Sequence, residues 1–418
     1  MNKTKTYLEN ILLLFIYTLA LFPILSRGVE SVLMIAIFVL SVFYYFKFNI
    51  KKATKKQLSQ VFTFSLLFFI YLFSLAYSSD LKTGVNYLVK VIPIVMFPII
   101  FGVLIPNLLT MEKIKRTFNL YVLAIFFGLI FIHTYLFFTL NENILIDNWE
   151  YRNAFEALTD VHGTYFSIWI GFGLFIVFFR IISAIKCKNH TLLTFWLAVG
   201  IYLMYWQLKL GARVPQLFTI ILIVVLFFTK VKNKKYRLIG VLGLSIFTVG
   251  IFIFKPNFVD RLKDLANYDF SLPQGDYNYD FETITNEQIR NGIYFCSFKL
   301  IKKSWLTGYG IGDVDEQLQK CYNNELDSNV YTMFNYNSHN QYLHLLLTAG
   351  VLGLLLFLIS FTLSIYISFK DANLLYILFS FFILFSLFTE NVLSRHDGIL
   401  FYSFFNAIFA FSNKGSLK

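Results

Sequence analysis

Twelve apolar stretches, most of them close to the ~20 residues that cross a hydrocarbon core as helix, take up the greater part of the chain. They run approximately over 8–25, 28–47, 60–78, 85–105, 117–140, 163–184, 191–208, 212–229, 238–255, 341–369, 373–389 and 398–412. No soluble core can absorb that many. A soluble domain carries roughly 25% charged residues to keep its surface wet, whereas this 418-residue chain carries 14%, beside 57% hydrophobic residues. A soluble enzyme, a disordered chain and a coiled coil are excluded. The expected fold is an all-α polytopic membrane protein of about 12 transmembrane helices. Lysines precede the first stretch as in a signal peptide, but Leu21-Phe22-Pro23-Ile24-Leu25 offers no small-residue cleavage site, so a retained first helix is expected.

The net charge of +12 acquires a meaning once it is placed on the chain. With the N-terminus inside, the inner connections hold Lys47, Lys51, Lys52, Lys55 and Lys56; Lys113, Lys115 and Arg116; Arg180, Lys186 and Lys188; and Lys230, Lys232, Lys234, Lys235 and Arg237. Lys3, Lys5, Lys370, Lys414 and Lys418 join them, against only Glu9, Glu112 and Asp371. Lys/Arg excess in short loops marks the cytoplasmic side. The lysine runs are therefore topology determinants beside anionic lipid, and no nucleic-acid partner is expected. Both termini are expected in the cytoplasm.

Two connections on the opposite side are too long to be turns, and such loops are usually functional. One is 141–162, which is acidic and carries Arg152; the other is roughly 256–340. The expected organisation is one integrated domain: bundle spans 1–9 over 1–255, a large outer loop over 256–340, and the last three spans with a short tail over 341–418. Within the large loop Ile289, Ile293, Cys296 and Leu300 recur at helical spacing, with Lys299, Lys302 and Lys303 off that stripe. This predicts an amphipathic helix on the bundle or at the membrane surface. The following Gly308-Tyr309-Gly310-Ile311-Gly312 lacks the strand-to-helix context of a dinucleotide fingerprint and reads as backbone crossing closely under another segment.

Ionisable groups near the outer ends of spans are costly and usually have a reason. Arg213 opens the eighth span, His339 and Asn340 open the tenth, and Arg290 opens the amphipathic helix. His162 precedes the sixth, and Glu390, Arg395, His396 and Asp397 cluster between the last two. Each has a plainer reading: Arg213 snorkelling to headgroups, His339 bonding the helix start, Glu390 and Arg395 as a structural ion pair, His133 as a buried and satisfied histidine. His344 falls about 140° round the helix from His339, so the two are not joint metal ligands. The three cysteines form no metal-ligand spacing, and Cys296 and Cys321, facing an oxidising side, are free to pair or not. Taken together, two forked guanidiniums suit a pyrophosphate, and an imidazole beside them can deprotonate a hydroxyl near neutral pH. Pyrophosphate leaves readily once its charge is held, so neither metal nor cofactor is required. A lipid-linked donor at the outer leaflet is expected.

Three stretches resemble the O-antigen ligase and polymerase superfamily of bacterial envelope glycosyltransferases. Ser338-His339-Asn340-Gln341-Tyr342-Leu343, with Gly350-Val351-Leu352-Gly353 after it, is similar to the family's His-Asn motif. Arg290, Trp305 and the glycine-rich turn 308–312 resemble a second motif, and Gly211-Ala212-Arg213 a third, where the family more often has serine or another small residue before the arginine. The resemblance implies a metal-independent transferase of the bacterial inner membrane with a periplasmic active site. In it His339 activates the acceptor, and Arg213 and Arg290 hold the pyrophosphate of an undecaprenyl-linked glycan. Asn340, Arg152, His162, Glu390 and Arg395 are supporting or acceptor-side candidates. The acceptor is a lipid A core sugar in a ligase, another lipid-linked repeat in a polymerase, or a protein in some relatives. The ten residues between Arg152 and Gly163 match a spacing seen in some polymerases, without the second copy. A flippase or transporter would show paired repeats and mid-membrane charges; here there is no repeat and the charges crowd the rim.

Overall fold

The computed structural model describes residues 2–140, 148–235, 237, 238, 240, 269–278 and 283–411. Among these the chain is helical, with no named strand. The helices are α1 (Asn2–Leu19), α2 (Arg27–Lys47), α3 (Lys55–Phe64), α4 (Leu66–Leu75), α5 (Leu81–Val91), α6 (Pro93–Ile99), α7 (Met111–Thr139) and α8 (Asn148–Thr159). Then come α9 (Gly163–Lys186), α10 (His190–Lys209), α11 (Arg213–Lys230), α12 (Asn286–Lys303), α13 (Val314–Glu325), α14 (Gln341–Lys370), α15 (Leu374–Ser386) and α16 (His396–Phe411). Polar caps set several starts: Thr54 and Thr285 form reciprocal capping boxes with Gln57 and Gln288, and Asp80, Asn189 and Asn373 cap α5, α10 and α15.

Among the described residues seven segments are long and apolar enough to cross a membrane, namely α2, α7, α9, α10, α11, α14 and the run Leu81–Leu104 that contains α5 and α6, or eight if the bent pair α3–α4 is one span. That is a coarser result than twelve. The expected ninth span, 238–255, lies outside the described residues apart from 238 and 240. The last two expected spans are short: α15 has 13 residues and α16 has 16. Others are interrupted. Ser65, whose hydroxyl bonds back to Val61 O, marks a 59° bend between α3 and α4. Pro93 starts α6, and Pro98 lies inside it just ahead of a π-turn at Ile100–Leu104.

Helices that are apolar all round are the buried ones. Every residue of α16 from Asp397 to Phe409 is buried, as is α9 from Gly163 to Val177. Phe22, in a 3-10 turn with Pro23, sits edge-on to Trp169 and beside Tyr121, Phe401 and Phe405, which ties the first hairpin to the centre. Polar pairs close the same end of the bundle. Arg27 donates to Asp160 and to buried Asp397, and His396 Nε2 lies 2.6 Å from buried Glu30.

A second, smaller core sits on that end. Ile289, Ile293, Cys296 and Leu300 of α12 pack on Val314, Leu318, Cys321 and Tyr322 of α13, with Leu347 of α14 joining from below. The amphipathic stripe therefore faces a protein core rather than lipid. Cys296 and Cys321 are joined as a disulfide, with Cα atoms 5.8 Å apart. An ion pair between Lys299 and Glu325 bridges the same two helices.

The cap is fastened to the bundle by the glycine turn. Ala349 and Gly350 break the helical path of α14, Gly350 at φ 61° and ψ −163°. Into that break run Trp305–Gly310: Tyr309 N donates to Leu347 O, Gly310 N to Thr348 O, and Val351 N to Trp305 O. A Cβ on Gly350 would lie 2.1 Å from Leu306 O, and one on Gly308 2.5 Å from Thr348 C. The expected close crossing is there, and side chains are what it excludes. The turn's far side rests on the corner after α4, where Asp313 accepts from Ser79 N and Asp80 N at 2.7 and 2.9 Å.

Candidate active site

His339 lies in the link just before α14, in left-handed conformation (φ 43°), with its N–H donating to Asn337 Oδ1. Asn340 is the N-cap: its side chain accepts from Tyr342 N and Leu343 N. The His-Asn pair thus divides its labour, the asparagine starting the helix and the histidine standing off it.

Gln341, fully buried, ties this helix start to the loop between α15 and α16. Its N–H donates to Leu387 O, its Oε1 accepts from Leu393 N, and its Nε2 donates to Tyr71 Oη. Ser338 Oγ adds a bond to Asn391 Oδ1. Those bonds fix Glu390 beside His339. Sequence reasoning gave no role to Gln341 or Asn391; the only hint was a polar residue at the mouth of an apolar span.

Glu390 is buried, its side chain 11% exposed, and its carboxylate is shared. Oε2 is 3.3 Å from His339 Nδ1, and Oε1 is 3.8 Å from Arg290 Nη2. Burial pushes this carboxyl up, but the His339 bond and charge, with His162 and Arg290, outweigh it and hold it below its ordinary value. The plainer reading of Glu390 and Arg395 as a structural ion pair does not hold, since Glu390 meets His339 and Arg290. Arg395 instead lies over the Tyr165 ring, 6.0 Å from its centre. A neighbour in sequence lost to partners from other elements.

Arg290 lies in the second turn of α12, one turn on from Glu287, whose Oε1 is 3.4 Å from Arg213 Nη1. The two guanidiniums therefore flank one helix start, and both are accessible: 51% exposed for Arg213 and 39% for Arg290. Arg213 is the first residue of α11, after Gly211 at φ 64° and Ala212 at the N-cap position. Ala212 makes no side-chain cap, a bond that a serine there would supply.

Arg152 and His162 form an adjoining group. Arg152 Nε donates to Glu156 Oε1 at 2.7 Å, and Arg152 Nη2 is 3.5 Å from His162 Nε2. Gly163 N donates to the same Glu156 oxygen at 2.8 Å, and a Cβ on Gly163 would lie 2.9 Å from Arg152 Nε. The Arg152-to-Gly163 spacing is thus a contact. Burial pushes His162 down, with Arg152 and Arg395 adding to that and Glu156 and Glu390 opposing it.

Two other histidines differ from expectation or stand apart. His133 is only part-buried, with Nδ1 2.9 Å from Tyr151 Oη. His344 is buried between Tyr71 and Tyr87, away from His339. Among the described residues no group of three or more His, Cys, Asp or Glu could hold a metal ion. A cavity of about 160 Å³ lined by Lys5, Glu9, Tyr44 and Lys113 lies at the other end of α1 and α2, away from these groups.

No curated protein matches the chain. Residues 192–358 match the family model described as O-antigen ligase. The matched segment contains Arg213, Arg290, His339 and Asn340, and leaves Arg152, His162, Glu390 and Arg395 outside. This match, over about two fifths of the chain, makes the segment similar to the O-antigen ligase family of glycosyltransferase-like enzymes and supports the resemblance to the O-antigen ligase and polymerase superfamily.

Proposed function

We propose that the protein is an O-antigen ligase of the bacterial inner membrane. It moves a glycan from undecaprenyl pyrophosphate to a sugar hydroxyl of the lipid A core on the periplasmic face. In this reading the chain crosses the membrane twelve times, with both termini cytoplasmic and 256–340 periplasmic.

The acceptor hydroxyl gives its proton to His339 Nε2 as its oxygen bonds to the anomeric carbon of the donor. The bond from that carbon to the pyrophosphate oxygen breaks, and the carrier pyrophosphate leaves with the electron pair. Arg213 and Arg290 hold the charge that develops there. Neither a metal nor a cofactor enters the scheme.

One observation carries this reading: the His339 imidazole and two accessible guanidiniums share one neighbourhood, linked through Glu287 and Glu390. The arginine contacts, at 3.4 and 3.8 Å, are longer than the 2.7–2.9 Å of a well-formed charge-assisted bond, so phosphate oxygens can replace them.

A second reading, repeat-unit polymerase, is favoured by the Arg152–Gly163 contact, which places another guanidinium at the edge of the same site. Deletion of the gene followed by a gel of surface polysaccharide separates the two. A ligase leaves polymer on the carrier lipid and none on the core; a polymerase leaves core bearing one repeat unit. In either case His339→Ala abolishes transfer while the protein still accumulates. Wild-type transfer by that variant removes the histidine from the mechanism.

A further inference from the structure

Glu390 lies outside the segment matched to the family, yet it is the group through which His339 and Arg290 meet. An ionised carboxylate only accepts, so its contact with His339 Nδ1 requires the proton there and leaves the lone pair on Nε2. The tautomer needed for a base is thereby selected. The other oxygen faces Arg290, which the proposed function assigns to the donor pyrophosphate. The same carboxylate cannot serve both the guanidinium and the imidazole N–H fully.

We infer that Glu390 is a positioning residue that couples donor binding to acceptor activation. This rests on the ligase or polymerase reading above. Before the donor arrives, Glu390 divides its charge between Arg290 and His339. The pyrophosphate draws Arg290 onto its own oxygens, and the carboxylate is left to the imidazole. A negative charge no longer offset by a guanidinium favours the imidazolium, so the histidine becomes a stronger base when there is a donor to attack. Base strength then depends on an occupied site, which limits activation of hydroxyls with nothing to transfer to them.

The charged groups facing this carboxylate come from three directions. His339 lies in the link before α14, Arg290 on α12, and His162 at the start of α9. Arg395 acts in turn on His162. Of these, only Arg290 and His339 make a charged contact with Glu390 within 4.0 Å.

The test uses the full chain in nanodiscs, with lipid-linked glycan purified from cells lacking this gene and lipid A core as acceptor. Wild type, Glu390→Gln, Glu390→Asp and His339→Ala are compared across pH. Glu390→Gln is expected to lower kcat about 10–100-fold, the usual effect of losing such a support. It should also lower the donor KM severalfold, because Arg290 no longer has a competing carboxylate. The acid limb of its pH profile should move to lower pH, since the charge that favours the imidazolium is gone. Glu390→Asp should recover part of kcat and keep the wild-type limb. A Glu390→Gln enzyme with wild-type kcat overturns the inference. So does one whose kcat falls while the limb and donor KM stay fixed, because loss of folded protein alone gives that result. An active His339→Ala variant sinks the parent reading instead.

Discussion

Gly350→Ala tests the crossing that sets the cap against the bundle. Glycine at φ 61° and ψ −163° occupies a region essentially closed to other residues, and holding alanine there costs about 1–3 kcal/mol. The new methyl would sit 2.1 Å from Leu306 O and 2.6 Å from Thr307 N, so backbone has to move. Overpacking of that kind adds about 1–3 kcal/mol. The sum, about 2–6 kcal/mol, is a large share of a stability of about 5–15 kcal/mol. Scaled to a chain of 418 residues, each kcal/mol moves the midpoint by about 1 °C, so the midpoint should fall by at least about 2 °C. Thermal unfolding of the purified protein measures it, with Gly28→Ala as control because nothing lies within 4 Å of a Cβ there. The turn joins α12, which carries Arg290, to α14, which follows His339, so glycan transfer should fall as well, even at temperatures where the variant stays folded. A Gly350→Ala protein as stable as the control would refute the crossing.

Arg213→Lys and Arg290→Lys should each lower transfer at least about tenfold, because an ammonium cannot fork onto two oxygens; full activity in both rules out bidentate pyrophosphate binding. Replacing Cys296 and Cys321 by serine opens a link across 25 residues, which should cost about 3 kcal/mol. Reductant should reproduce that fall in melting temperature, and a melt indifferent to both changes would show the bridge to be energetically idle. Glu390 and His162 both bind protons less readily than usual in the fold, so the unfolded chain binds more and stability drops on acidification. The His162 contribution goes as pH falls below about 6.5 and that of Glu390 as it falls below about 4.5. A melting temperature flat from pH 7 to 4 contradicts this. Transfer is expected to survive chelation by EDTA; loss restored by a divalent ion refutes metal independence.

Apolar length was legible because lipid demands it, and α2, α7, α9, α10, α11 and α14 fall close to where composition puts them. The breaks were not. The 59° bend at Ser65 and the kink at Ala349–Gly350 occur inside uniformly apolar runs, where periodicity has no contrast to report. The glycine turn could be recognised as a close crossing, but its partner strand of backbone, forty residues on, could not. Of the site candidates, Arg213, Arg290 and His339 were visible as costly charges at span ends. Whether Glu390 and Arg395 would pair could not be read from their adjacency in sequence, because Gln341 and Ser338 decide from a distance which way the loop faces. Cysteine pairing depended on α12 and α13 lying side by side, a tertiary fact.

The contact of Glu30 with His396 spans 366 residues, and that of Arg27 with Asp397 spans 370. Protein synthesis therefore delivers one half of this latch long before the other. During translation the first hairpin sits in the bilayer with a carboxylate whose partner has yet to be made, a situation the insertion machinery must tolerate or shield. Closing of the rim is a late event in the life of each molecule, and the loop carrying Glu390 is delivered with it.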